Sequence, residues 1–220
     1  AGISEEALRC AVLVFAVKPQ QLAAVAAEVR PCLREQLVIS IAAGVRAPDL
    51  SRWLGGYPRL VRAMPNTPAM IGAGVTGLYA LPEVDAEQRA LAEKILNAVG
   101  SCVWLSDETQ MDALTAVSGS GPAYVFYFME ALEQGALDLG LTPAQARELA
   151  LATFLGAAQL ARKGPADPAT LRAQVTSKGG TTERAIQSLD QAQVKAAIAA
   201  AVRAAAARSQ EMGDDLGKTG

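Results

Sequence analysis

Short apolar, β-branched runs alternate with helically patterned stretches over the first half of the chain, after which nearly everything reads as helix. Val12–Val17 and Leu37–Ala42 are continuous apolar runs, the pattern of strands buried on both faces of a parallel sheet. Arg59–Met64, Val75–Ala80 and Cys102–Leu105 read as three more strands. Between them, Gln20–Leu33 repeats apolar residues at Leu22, Val25, Ala26 and Val29, Pro48–Leu54 is a short helix, and Asp85–Val99 is a helix with an acidic start. This alternation predicts parallel pairing with right-handed crossovers. The first three strands then end on one sheet edge, where ligands bind in open α/β sheets. Lys18-Pro19, Ala42-Ala43-Gly44 and Met64-Pro65-Asn66 would line one crevice there, although plain connecting turns use the same residues.

From Asp107 the pattern is helical. A helix over 107–116 would put Glu108 and Thr115, seven residues apart, on one face. Thr115–Tyr124 (Thr-Ala-Val-Ser-Gly-Ser-Gly-Pro-Ala-Tyr) should break regular structure and open a new helix, with Ser120 as N-cap and Pro122 in the first turn. Such a start suits an anionic or carbonyl-bearing ligand, or is an ordinary cap at a domain junction. Ala123–Leu139 follows as a helix capped by Gly140, and Thr142-Pro143 opens another that runs to Arg162 and is apolar nearly all round. A helical half this small can hardly bury such a helix alone, so it reads as a dimer interface. Leu171–Val175 is a short helix, and an alanine-rich one spans Gln191 to about Met212, with a polar, frayed tail over 213–220. Between them, Thr176–Thr182 sets paired glycines among hydroxyl residues ahead of a helix, which fits an anion pocket as well as a flexible loop. The division expected is an α/β domain over 1–106 and an all-α domain over 107–220.

Composition narrows the function. Hydrophobic residues make up 51% and charged residues 19%, with a net charge of −2, so no basic footprint for nucleic acid exists and no apolar run suits a membrane span. Histidine is absent from the 220 residues, which removes the commonest general base and the usual zinc sites. Cys10, Cys32 and Cys102 read as buried, reduced thiols of a cytoplasmic protein.

Four motifs in order, Ala16-Val-Lys-Pro-Gln20, Arg62-Ala-Met-Pro-Asn-Thr-Pro68, Ser118-Gly-Ser-Gly-Pro-Ala-Tyr124 and Val175-Thr-Ser-Lys-Gly-Gly-Thr-Thr182, resemble pyrroline-5-carboxylate reductase along essentially the whole chain. The resemblance implies a Rossmann-type domain followed by a helical domain that interlocks with a second subunit as a homodimer, with a pentamer of dimers known in the family. It implies hydride transfer from NADPH or NADH to the C=N carbon of 1-pyrroline-5-carboxylate, giving L-proline. Carried over by position, Ala16, Val17, Lys18, Pro19, Ala42, Ala43, Gly44 and Asn66 contact the cofactor near its nicotinamide half. Thr115 hydrogen-bonds the ring nitrogen, Glu108 and Ser118 contact substrate, and Gly180, Thr181 and Thr182 hold its carboxylate. Lys178 stands where many members have Pro, which bears on loop stiffness and local charge. The family's glycine-rich phosphate loop has no counterpart here, so roughly the first two strands of the Rossmann domain are expected to lie outside this sequence. The alternatives are a β-hydroxyacid or 6-phosphogluconate-type dehydrogenase, and a non-catalytic dimeric dinucleotide-binding protein.

Overall fold

The structure, a computed structural model, describes residues 9–218. Five strands form one sheet in the order β1 (Val12–Phe15), β2 (Leu37–Ser40), β3 (Leu60–Met64), β4 (Gly74–Ala80) and β5 (Gly100–Trp104). The first three are parallel, and Phe15, Ser40 and Arg62 lie in register, so the segments that follow them emerge on one edge as expected. β4 departs from the expected all-parallel order: it runs antiparallel to β3, and β5 is parallel to β4. The cause is the connection. Residues 65–73 hold only a 3-10 turn, Thr67–Ile71, and are too few for the crossover that a parallel neighbour needs.

Each face of the sheet has its own core. On one side Leu22, Ala26 and Val29 of α1 (Pro19–Val29) and Leu50 and Trp53 of α2 (Ala47–Trp53) pack with Phe15, Val38 and Leu60. On the other, Ala92 and Leu96 of α3 (Ala86–Leu96) pack with Leu37, Ile39, Val61, Ala63 and Leu78. Successive β2 side chains thus point to opposite, equally buried faces, which is why the strand is apolar throughout. Asp85 starts α3 with a capping box: its carboxylate accepts from the Gln88 N–H, and the Gln88 side chain accepts from the Asp85 N–H.

The chain groups into two compact units, 1–122 with 202–220, and 123–201. This division differs from the expected one at 106/107, because α4 (Gln110–Leu114), the turn after it and the second half of α9 (Val194–Gly217) belong with the sheet. The second unit contains α5 (Gly121–Asp138) from Ala123 on, α6 (Pro143–Lys163), α7 (Pro168–Gln174), α8 (Thr181–Gln191) and the start of α9. α5 ends as expected at Gly140, whose φ is 89°; the Leu141 N–H donates to Ala136 O and the Gly140 N–H to Leu137 O, a Schellman motif. α6 starts with a Thr142–Gln145 capping box.

Three further expectations fail. Thr115–Gly119 does not break the chain but forms a π-helical turn joining α4 to α5, and Ser120 sits in right-handed helical conformation, its N–H donating to Thr115 O, with no capping role. The tail is not frayed over 213–217: α9 runs through it, and Gly213 is buried. Nor are the thiols buried, since Cys10 is exposed and Cys32 and Cys102 are half-buried.

Candidate active site

The sheet edge begins with the turns after β1 and β2. Ala16 and Val17 leave β1, Lys18 holds extended backbone as the N-cap of α1, and Pro19 opens that helix. Ala42, Ala43 and Gly44 follow β2; Gly44 has φ 78°, a conformation that penalises any side chain. Apart from Lys18 these turns carry small or apolar side chains, and of the second turn Ala42 and Gly44 are buried while Ala43 is half-buried. Asn66, beyond β3, uses both ends of its amide within the fold: Oδ1 accepts from the Val75 N–H at 2.9 Å and Nδ2 donates to Ser118 O at 3.1 Å.

That second bond fixes the π turn, and two glycines let it seat on the sheet. Leu114 lies where a Cβ on Gly77 of β4 would stand, and a Cβ on Gly119 would meet Met64 Cε at 3.0 Å. Ser118 bonds back along its own helix, its hydroxyl donating to Leu114 O at 2.9 Å. Thr115 is half-buried between these anchors, and its hydroxyl makes no hydrogen bond among the described residues. A side chain held by its neighbours on a π turn, with an uncommitted hydroxyl, can bond a ligand without giving up a contact of its own.

Glu108 is not on the face of a helix shared with Thr115, because α4 begins two residues after it. Asp107 causes the late start: its carboxylate accepts from both the Thr109 N–H and hydroxyl at 2.7 Å, and these bonds hold its pKa below the usual carboxylate value. Glu108 Oε1 accepts from the Ala47 N–H at 2.6 Å and from Arg62 Nη1 at 3.0 Å, in a pair whose side chains are 13% and 5% exposed. Sequence reasoning missed Arg62 as a functional partner. Its only signal was a cation inside an apolar strand, which demands a buried anion. Both residues line a cavity of about 660 Å³ with Arg46, Asp112, Gln210 and Asp214.

Gly180, Thr181 and Thr182 belong to the second unit. Gly180 is the N-cap of α8 and has no side chain to cap with; its own N–H donates to Ser177 O at 3.0 Å. A Cβ there would lie 2.7 Å from Ser177 Oγ and 3.1 Å from Ser177 O, so a larger residue would have to displace the Ser177 hydroxyl. Gly179, at φ 73°, donates its N–H to Glu183 Oε2 at 2.7 Å, so that carboxylate takes one donor of the loop. The N–H groups of the first helical turn and the two threonine hydroxyls are left for an anion. Among the described residues, no group of His, Cys, Asp and Glu could hold a metal ion.

A family model described as pyrroline-5-carboxylate reductase dimerisation matches residues 108–212, and one described as NADP oxidoreductase, coenzyme F420-dependent, matches residues 2–44. The pyrroline-5-carboxylate reductase of Pseudomonas aeruginosa is 48% identical over 208 residues, covering 94% of this chain and 76% of its own. That of Synechocystis is 47% identical over 204 residues, with 92% and 75% covered. A solved pyrroline-5-carboxylate reductase from Coxiella burnetii superposes with a TM-score of 0.90 at 47% identity, over 94% of this chain and 77% of that one. The Plasmodium falciparum pyrroline carboxylate reductase, solved with NADP bound, gives 0.87 at 32% identity over 96% and 81%. Likeness at this level, along nearly all of the sequence, settles descent: the chain belongs to the pyrroline-5-carboxylate reductase family.

Proposed function

We propose that this protein reduces the C=N bond of 1-pyrroline-5-carboxylate to L-proline with NADPH or NADH, and that the sheet edge and the Thr115 turn are its chemical centre. The observation that carries the assignment to residues is the uncommitted Thr115 hydroxyl, locked in place by Leu114 on Gly77, Gly119 on Met64 and Asn66 on Ser118.

The small turns Ala16–Pro19 and Ala42–Gly44, together with Asn66, fit a dinucleotide's nicotinamide half, because they follow β1, β2 and β3 on one sheet edge and, Lys18 and Asn66 apart, carry small or apolar side chains. When bound, the cofactor supplies a hydride for the imine carbon. The residues then orient the acceptor and stabilise charge, which needs no histidine. Thr115 donates a hydrogen bond to the ring nitrogen; its hydroxyl is far too weak an acid to give up the proton itself, and water or the substrate's own proton completes the transfer. Gly180, Thr181 and Thr182 receive the substrate carboxylate at the start of α8. Ser118 and Glu108 contact the substrate: the Ser118 hydroxyl can still accept beyond the bond it donates to Leu114 O, and Glu108 has Oε2 left beyond the bonds that Oε1 makes to Arg62 and Ala47.

The helical unit pairs with a second copy. Among the residues it contributes, only Ala146 and Ala150 are fully buried hydrophobics, while Phe126, Tyr127, Leu149, Leu155 and Leu160 are exposed. So much apolar surface calls for a partner. A pentamer of dimers is the higher assembly we favour, and the cytoplasm the compartment, in keeping with three free cysteines.

NADPH oxidation by the full-length protein with pyrroline-5-carboxylate tests the reading. Turnover is expected, and its absence with both NADPH and NADH would overturn it.

A further inference from the structure

We infer that the last turns of α9, Ser209–Gly217, are a positioning element for the Ala42–Arg46 turn, an inference that rests on that turn's role in holding the dinucleotide. A Cβ on Gly44 would lie 3.0 Å from Leu216 Cδ1 and 3.7 Å from Met212 Cβ, so the helix leaves no slack over the turn. Leu216 also packs on the core cluster that contains Ala42, Val45 and Ala47. Polar ties set the register. Arg46 Nη2 pairs with Asp214 Oδ1 at 2.6 Å and reaches Gln210 O at 3.4 Å, and Arg52 Nη2 donates to Gly217 O at 2.7 Å. Gly213 and Gly217 face the Arg46 guanidinium and the Asp49 carboxylate at distances that a larger residue would violate.

The same helix segment holds the other side of the centre. Ser209 Oγ donates to Asp112 Oδ1 at 2.6 Å, three residues before Thr115. Ser209 is 8% exposed, and the bond is partly buried. One helix segment therefore grips both the cofactor turn and the helix that presents Thr115. The Arg46–Asp214 pair is 34% and 52% exposed and adds little by itself. The apolar seat of Leu216 sets the position, and the arginines choose which turn of α9 occupies it.

The test is NADPH affinity, read by fluorescence titration of the full-length protein, beside steady-state kinetics. Leu216→Ala should raise the NADPH Kd about tenfold, the factor produced by ~1.4 kcal/mol of lost ordering. The KM for pyrroline-5-carboxylate should stay within about twofold, and Leu216→Met, which restores volume, should recover the Kd. Asp214→Lys, on the solvent side, should also weaken NADPH binding, more at low salt than at high. An unchanged NADPH Kd in Leu216→Ala and Asp214→Lys overturns the inference, whatever happens to Tm. An equal rise in both constants overturns it too, since general loosening would do that. Should Leu216→Ala fail to fold, the NADPH Kd of Asp214→Lys decides alone, by the same two criteria. A wild type that binds NADPH but does not reduce pyrroline-5-carboxylate would sink the reductase reading while leaving this test intact, because it is read as a Kd.

Discussion

Thr115 and Glu108 are separated by seven residues and by opposite physical situations. Thr115 has nothing to lose internally when a ligand arrives, so its removal should be felt in turnover and not in stability. Thr115→Val is expected to lower kcat about 10- to 100-fold, the worth of one hydrogen bond to a charged group, while Thr115→Ser retains most activity. Steady-state kinetics with matched melting curves would decide it; a wild-type kcat in Thr115→Val would exclude the role. Glu108 is the reverse case, because its Oε1 neutralises Arg62 at 5% exposure. Glu108→Ala should cost about 3–5 kcal/mol, the penalty of a buried charge left without its partner. Urea unfolding measures this, and adding Arg62→Met should return much of the loss. The sequence displayed both residues, but only the fold revealed that a late helix start turns Glu108 away from the helical face and towards β3. Arg62 was legible as an anomaly without a partner, since its anion lies 46 positions away.

At the scale of elements, the strands were legible because burial on both faces forces apolar runs with no polar gaps. Two things hid the rest. The direction of β4 depends on how much chain follows β3, which composition does not encode. The π turn is written in serine and glycine, residues that usually interrupt helices, but here Gly119 stays within the turn, where a Cβ would crowd Met64 Cε. Packing overrode propensity. The end of α9 obeys the same rule, since Gly213 and Gly217 look like breakers yet stay helical with the Arg46 and Asp49 side chains packed against them. Helix starts offer a simpler case. Asp167 caps α7, and the Thr170 N–H it accepts from holds its pKa below the usual carboxylate value. Because the folded pKa is depressed, this cap stabilises above the ordinary carboxylate pKa and is lost as pH falls through the lowered one. Asp167→Asn should therefore flatten the acid limb of thermal stability in that window, and an unchanged limb would mean that the cap contributes nothing. Thr142→Ala should cost about 1 kcal/mol by losing the α6 cap, measurable by chemical denaturation.

For the molecule as a whole, the telling contrast is between a sheet unit with a dense core on each face and a helical unit with almost none of its own. Leu155 and Tyr127 are 61% and 71% exposed, so changing them to Asp should disturb the isolated fold little. Sedimentation should nevertheless register dissociation of the dimer, and a Leu155→Asp protein that stays dimeric would move the interface elsewhere. The apolar positions spread around α6 make this legible in the sequence, because a helix greasy on all sides has to meet something other than water.

The order in which the chain is made adds one more consequence. The sheet unit is discontinuous: it takes in residues up to 122 and then waits for 202 onwards, with the helical unit inserted between. On the ribosome, α2 and the Gly44 turn emerge long before Leu216 and Asp214, so the nascent sheet must persist without its brace while residues 123–201 are still being added. Of the two units, the one begun first is thus the last to be finished, and a ribosome stalled after α8 would carry a sheet whose Gly44 turn has not yet been fastened.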